Sequence, residues 1–304
     1  MMKRHVCPTR ALRRCLMAVL CLTFFTSMAL ADISPLPVDL TPGHVPSEEG
    51  FSQDGDTEIY EDESIRVEMQ RVEFHDATFN VARVRIADPS QLRTALSAKY
   101  SKNMRHDRIS TMAKNNHAVV AIGGDYFHNE EGGYVIRQGE VLRKKAKGKD
   151  VLLIDRDGNF RILIKPSTDE IKEIVESEEG LIVNSFNFGP ALVMDGEKME
   201  MPSKYAYNLS SSGEPRCAIG QLGELEYLLV VVDGRRKDSA GCTGDTLAQF
   251  MYDQGCIQAY NLDGGNSALM TFHGENYSDK TVEGERGVSD IIYFATAVDF
   301  GLDP

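Results

Sequence analysis

Three apolar runs constrain this chain more than any other feature, because each stops on an acid set beside glycine: "AVVAIGGD" (118–125), "LEYLLVVVDG" (225–234) and "AYNLDGG" (259–265). Runs this short and this apolar read as buried strands rather than helices. Glycine at a strand end lets a ligand approach the backbone and its N–H donors, while the strand holds the neighbouring acid rigidly. The pattern predicts a sheet whose strand ends carry Asp125, Asp233 and Asp263. The alternative is a simple Asp-Gly turn, which is the reading at Asp157 and Asp195; at Asp233 both readings stay open. In "NLDGGNS", Asn261, Asp263, Asn266 and Ser267 crowd together, and that stretch reads as a site.

The remaining pattern is also mostly strand. "IRVEMQRVEF" and "FNVARVRIA" alternate apolar and polar residues, as half-buried antiparallel strands do, and hairpins are expected around Asp157-Gly158 and Asp195-Gly196. Short helices are predicted from Asp88-Pro89-Ser90 through "QLRTALSAK", from Ser110 through "TMAKNNH", and from Thr243 through "TGDTLAQFMYDQG" to a stop at Gly255. Many strands and few helices predict an α+β fold, a mixed or antiparallel sheet core in one domain over residues 64–304.

The first 31 residues stand apart. Lys3, Arg4, Arg10, Arg13 and Arg14 precede an apolar run that ends in Ala29-Leu30-Ala31, the pattern of a secretory signal peptide; the run is too short and too interrupted by Thr23, Thr26 and Ser27 for a membrane anchor. The expectation is an exported protein, secreted or held in the cell envelope, with no stable membrane span once the leader is removed. Removal would take the formal charge from -13 to -18, which argues against nucleic acid as a partner. Residues 32–63, with Pro35, Pro37, Pro42, Pro46 and the acidic run "DGDTEIYEDE", read as a linker. Cys217, Cys242 and Cys256 remain in the mature chain, an odd number whose spacing fits no zinc pattern, so structural roles are expected.

Arginines are the other candidate site residues. Arg216 in "EPRCAIG", Arg137 in "GGYVIRQG" and Arg286 in "ERGVSD" can each serve either as an ion-pair partner or as a fork for an anionic substrate group. At this level "AIGGDYFH", "GYVIRQGEVL", "FGPALVMDGE", "EPRCAIGQ", "VVVDGRRKDSAGCTGDTLAQFM" and "GCIQAYNLDGGNSALMTFHG", taken in order, resemble the phosphodiester glycosidase family over roughly residues 64–298. That family includes an enzyme that removes N-acetylglucosamine from a phosphodiester, and many exported bacterial proteins associated with exopolysaccharide. Arg216 through Gly220 resembles the family's Arg-Thr-Ala-Ile-Gly motif, and Asn261 through Ser267 its Asn-Leu-Asp-Gly-Gly-Gly-Ser motif. Three departures are Cys217 for threonine, Asn266 for glycine, and Gly123 for a common asparagine.

The resemblance implies hydrolysis of a sugar 1-phosphodiester, with Asp263, Asp233 and Arg216 as catalytic candidates. The substrate-binding candidates are Asp125, Gly124, Arg137, Arg235, Asn261, Gly264, Gly265, Ser267 and Arg286. A carboxylate stabilises the positive charge that develops at the anomeric carbon, and an arginine neutralises the departing phosphate. No cofactor or metal is expected: there is no ligand-spaced loop, and His128 reads as a surface histidine. Ser267 lacks a nucleophile-elbow context. The competing expectation is a module that binds phosphorylated exopolysaccharide without turning it over.

Overall fold

The computed structural model describes residues 33–177, 180–205, 208–281 and 283–302; the leader expected at 1–31 lies outside them. Alternating sequence produces a meander of β1 (Phe51–Asp54), β2 (Thr57–Glu61), β3 (Ile65–Phe74) and β4 (Ala77–Ile86). There follow β5 (Leu92–Leu96), β6 (Val120–Gly123), the hairpin of β7 (Gly133–Arg137) and β8 (Glu140–Lys145), then β9 (Val151–Asp155), β10 (Phe160–Leu163) and β11 (Ile182–Phe186). The chain continues through β12 (Ala191–Met194), β13 (Glu197–Lys198), β14 (Arg216–Gly223), β15 (Glu226–Val232) and β16 (Gln258–Leu262). It closes with β17 (Met270–Phe272), β18 (Glu275–Asn276) and β19 (Asp290–Phe294).

These strands build a nine-stranded sheet in the order β1-β2-β3-β4-β15-β14-β16-β12-β13, a five-stranded sheet β18-β17-β6-β19-β5 and a three-stranded sheet β10-β9-β11. Every strand pairing among the described residues is antiparallel. The main core lies between sheets, where Val67, Ile219, Leu229 and Leu262 of the large sheet meet Ile122, Met270, Ile292 and Leu152 of the smaller ones. Helix α1 (Ile109–Asn115) covers the far side of the five-stranded sheet through Ile109 and Met112. A second helix, α2 (Thr168–Ser177), buries Ile171 against β7 and β9. The far side of the large sheet is covered by α3 (Gly244–Asp253), whose Leu247, Phe250 and Met251 recur at helical spacing and pack on Phe79 and Val230. Thr243 starts that helix by accepting the Thr246 N–H at 3.0 Å, as its sequence context predicts. The fold is α+β, antiparallel sheets with a few short helices in one domain.

Three expectations are corrected. Residues 51–61 are not a tether but the β1-β2 hairpin: Tyr60 and Ile59 are buried, Phe51 packs 4.6 Å from the Tyr60 ring, and Asp54 and Thr57 close the register. Upstream, Leu36 is buried and the Arg93 guanidinium takes the Pro37 and Thr41 carbonyls at 2.9 Å each, so this Pro-rich stretch is fastened to β5. The helix expected from Asp88 stops after one 3-10 turn, Pro89–Gln91, and the chain continues as β5. Asp88 and Gln91 do form a capping box, but Leu92 to Ala95 are all buried and pair with β19, and that tertiary pairing overrides the local helix signal. Ser110 lies inside α1, behind an N-cap at Arg108, and gives its N–H and hydroxyl to Glu285.

Candidate active site

Register places the site. In the middle of the large sheet Arg216 pairs with Val232, and Cys217 with both Val231 and Leu262. Asp233 and Asp263 therefore leave the ends of β15 and β16 on either side of the start of β14. The end of β6 reaches the same place from the second sheet: the Asp263 N–H donates to the Gly124 carbonyl at 3.3 Å, and the Cys217 thiol to the Gly123 carbonyl at 3.6 Å. Two glycines are required by proximity. A Cβ at Gly264 would lie 2.6 Å from the Pro215 carbonyl oxygen, and one at Gly123 would lie 2.7 Å from that of Ser267. The absence of an asparagine at position 123 is thus matched by a backbone that leaves no room for one.

A cavity of about 290 Å³ opens here, lined by Arg216, Arg235, Asp263, Gly264, Gly265, Asn266 and Arg286 with Glu214, Pro215, Asn208, Phe188 and Leu262. Asp263 is 8% exposed and accepts from Arg286 Nη2 at 2.8 Å. The same Nη2 donates to the Ser267 hydroxyl, and the Arg286 guanidinium carbon lies 5.2 Å from the centre of the Tyr126 ring. Burial pushes the Asp263 carboxyl up to about 6, opposed by Arg286 and the Ser267 hydroxyl and reinforced by the nearby carboxylates of Asp125 and Asp290. It is ionised at neutral pH and takes a proton in mild acid.

Arg216 is 5% exposed and held entirely by main chain: Nε donates to the Cys242 carbonyl at 3.0 Å, and Nη2 to those of Asn208 (3.2 Å), Ser211 (3.0 Å) and Leu209 (3.4 Å). Among the described residues no carboxylate hydrogen-bonds to it; burial lowers its pKa, with Cys242 and the Glu214 charge acting the other way. A buried cation with no carboxylate in direct contact at a cavity wall is a place for an anion. Arg235, by contrast, is committed: it donates twice to Glu214 Oε2, at 3.0 and 2.7 Å, and to Asn266 Oδ1 at 2.8 Å.

The other sequence candidates do not line the cavity. Arg137 is fully buried, with Nε on Asp290 Oδ2 at 2.7 Å and Nη1 on the Ile136 and Ser185 carbonyls. Of the two roles open to it, the structure shows the ion pair. Asp125 takes the N–H groups of Tyr126 (2.8 Å) and Asn187 (2.7 Å). Asn261 gives its amide to the Gly189 carbonyl at 2.7 Å, and its own Oδ1 has no partner among the described residues. Asp233 accepts from Asn80 Nδ2 at 2.9 Å and from the Asp279 N–H at 3.2 Å. Burial, with Asp279 adding, raises it to about 6 against the pull of Asn80. His128 is partnered by His106, ring nitrogens 3.0 Å apart. Among the described residues no three His, Cys, Asp or Glu side chains gather in a metal-binding group.

Two residues important to the geometry escaped the sequence reading. Glu214 carries no signal beyond its place before Arg216. Asp290 begins "DIIYF", a buried strand preceded by an acid rather than followed by one, so the rule that found Asp263 could have found it in reverse.

These elements define an antiparallel α+β scaffold with an anion-ready cavity between strand ends. Residues 116–295, more than half of the sequence, match the phosphodiester glycosidase family, and the chain belongs to that family. It is similar to the SPbeta prophage-derived uncharacterized protein YomE of Bacillus subtilis (strain 168), with 27% identity over 202 residues, covering 64% of this chain and 31% of that protein. The chain thus spans about a third of the length of this relative. Among solved structures its fold resembles the zebrafish N-acetylglucosamine-1-phosphodiester alpha-N-acetylglucosaminidase catalytic domain auto-inhibited by its pro-peptide. That likeness has a TM-score of 0.60 and 18% identity, over 83% of this chain and 86% of that one. A hypothetical protein from Synechocystis shares the fold at a TM-score of 0.51 and 15% identity, over 79% and 64% of the two chains.

Proposed function

We propose that this protein is an exported glycosidase that hydrolyses a sugar 1-phosphodiester, of the N-acetylglucosamine-1-phosphodiester kind, in cell-envelope or exopolysaccharide glycans. The observation that carries the proposal is the pairing, in one cavity wall, of Arg216 with no carboxylate in direct contact and Asp263 with a carboxyl poised near 6. The substrate phosphate sits against Arg216, where it supplies the direct ion pair that no carboxylate among the described residues makes. The anomeric carbon lies over Asp263, which stabilises the developing positive charge directly or as the nucleophile. Arg286 and Ser267 hold Asp263 in place for that role. The bond between the anomeric carbon and the bridging oxygen breaks, its electron pair leaving with the phosphate, and water adds to the sugar.

A phosphate monoester leaves readily, so the reaction needs less general-acid help than departure of a sugar alcohol does. That suits a lining in which Glu214, the carboxylate other than Asp263, is tied to Arg235. The same scarcity of free acids favours a second reading, a module that binds a phosphorylated glycan and does not cleave it. Hydrolysis of an N-acetylglucosamine 1-phosphate alkyl diester in oxygen-18 water separates the readings. Label in the sugar supports the glycosidase; label in the phosphate means attack at phosphorus; binding without products supports the module.

A further inference from the structure

Behind the cavity wall lies a fully buried ion pair that no step above uses. Arg137 and Asp290 side chains are wholly inaccessible, with Nε and Oδ2 2.7 Å apart. Asp290 also clamps the end of β6 from two sides: its carbonyl accepts the Gly124 N–H at 3.1 Å, and its Oδ1 the Asp125 N–H at 3.1 Å. The fit leaves no slack, since a Cβ on Gly124 would lie 2.6 Å from Asp290 Oδ2. The next bond in the series is the one from the Asp263 N–H to the Gly124 carbonyl. Arg137 is itself immobilised between the Phe127 and Phe186 rings, its guanidinium carbon 5.1 and 4.4 Å from their centres. Its Nη2 makes no hydrogen bond among the described residues and faces Asp125 Oδ2 at 3.8 Å.

We infer that Arg137 and Asp290, neither of which lines the cavity, are the positioning residues for Asp263, acting through the backbone of Gly124 and Asp125. A buried pair of charges is a poor source of net stability compared with apolar packing, and its best-attested use is to select one arrangement. Here the arrangement selected is the relation between the end of β6 and the end of β16. The pair also sets the field at Asp263. Among the described residues the groups facing that carboxyl are Ser267 from the segment after β16, Arg286 from the segment between β18 and β19, Asp290 from β19, Asp125 from the end of β6, and the Cys217 thiol from β14. Removing the negative charge of Asp290 lowers the proton affinity of Asp263, whereas without Arg137 burial favours the protonated form of Asp290 itself.

The role assigned to the reaction rests on the glycosidase reading, so the test uses two readouts. Carboxyl-carbon NMR titration of Asp263 is recorded for the full chain and for D290N and R137M, with the diester assay alongside and melting curves to confirm folding. The expected result is a downward titration shift of Asp263 in D290N, with kcat lowered about a hundredfold in both D290N and R137M at nearly unchanged KM. Recovery of part of the rate in R137K, which restores the charge, is expected as well. If R137M does not fold, D290N and R137K decide: a downward shift in D290N with an intermediate rate in R137K supports the inference. An unmoved Asp263 titration in folded D290N overturns it. If the unaltered protein cleaves no diester, the glycosidase reading fails, while the titrations still decide whether the pair governs Asp263.

Discussion

Asp263 and Asp233 are nearly the same object in sequence, an acid followed by glycine at the end of a buried strand, and β14 separates them in one sheet. Both are largely buried, and burial raises both to about 6. Their surroundings differ. Asp263 borders a cavity with arginines on its walls, whereas the Oδ1 of Asp233 is occupied by Asn80 and the Asp279 N–H, and its own carbonyl accepts the Ser239 hydroxyl at 2.7 Å. A raised carboxyl therefore marks a strained position, and only the presence of space and a cation with no carboxylate in direct contact makes that strain usable.

The largest test of this contrast is Asp263→Asn, which keeps the shape and removes the charge. Turnover of the diester is expected to fall by roughly a thousandfold or more, with the melting temperature kept or raised. Next is Arg216→Ala, expected to cost roughly a hundredfold or more in kcat and to weaken the affinity for inorganic phosphate measured by calorimetry. Third is the pH profile of the unaltered enzyme: kcat/KM is expected to drop about tenfold per pH unit below about 6, as Asp263 takes its proton. A flat profile from 5 to 7 would remove Asp263 from the ionised role.

The smallest effect on rate is expected at Asp233→Asn, a change of less than about tenfold, and its signature lies in stability instead. The folded pKa of Asp233 is raised from 3.8 to about 6, so the stability linked to its protonated form is full below 3.8 and is lost as pH rises through 6. Asparagine keeps the Oδ1 that Asn80 and Asp279 address and never ionises. Above pH 6 the variant is expected to gain up to about 3 kcal/mol over the parent in urea unfolding, with no gain below pH 4. A large loss of turnover in this variant would erase the difference drawn between the two aspartates.

How much of this was legible in the chain follows from the range of the forces involved. The strands at 120–123, 226–232 and 258–262, the two Asp-Gly hairpins and the Thr243 cap depend on neighbouring residues and could be read directly. The fate of residues 88–96 could not, because capping chemistry says helix and only β19, some two hundred residues later, says strand. Residues 51–61 misled for a similar reason: their acids looked like a tether, and the partner that makes Tyr60 a core residue is β3. At the site, the clustering around Asp263 pointed to a place, but no local rule distinguishes Arg216, held by main-chain carbonyls, from Arg235, held by Glu214, or from Arg137, buried on Asp290.

The hydrogen bonds from Cys217 to Gly123 and from Asp263 to Gly124 put the cavity beside a seam between two sheets, and Arg286 on its wall comes from the segment that leads into β19 of the second sheet. The distance between Arg286 and Asp263 therefore depends on both sheets, and it inherits the tolerance of the core that joins them. Substitutions among Ile122, Leu262, Met270 and Ile292 that leave both sheets folded can still change the gap. In a random library such positions would register as loss of activity at normal abundance, and selection for turnover would police the packing of side chains that no substrate ever meets.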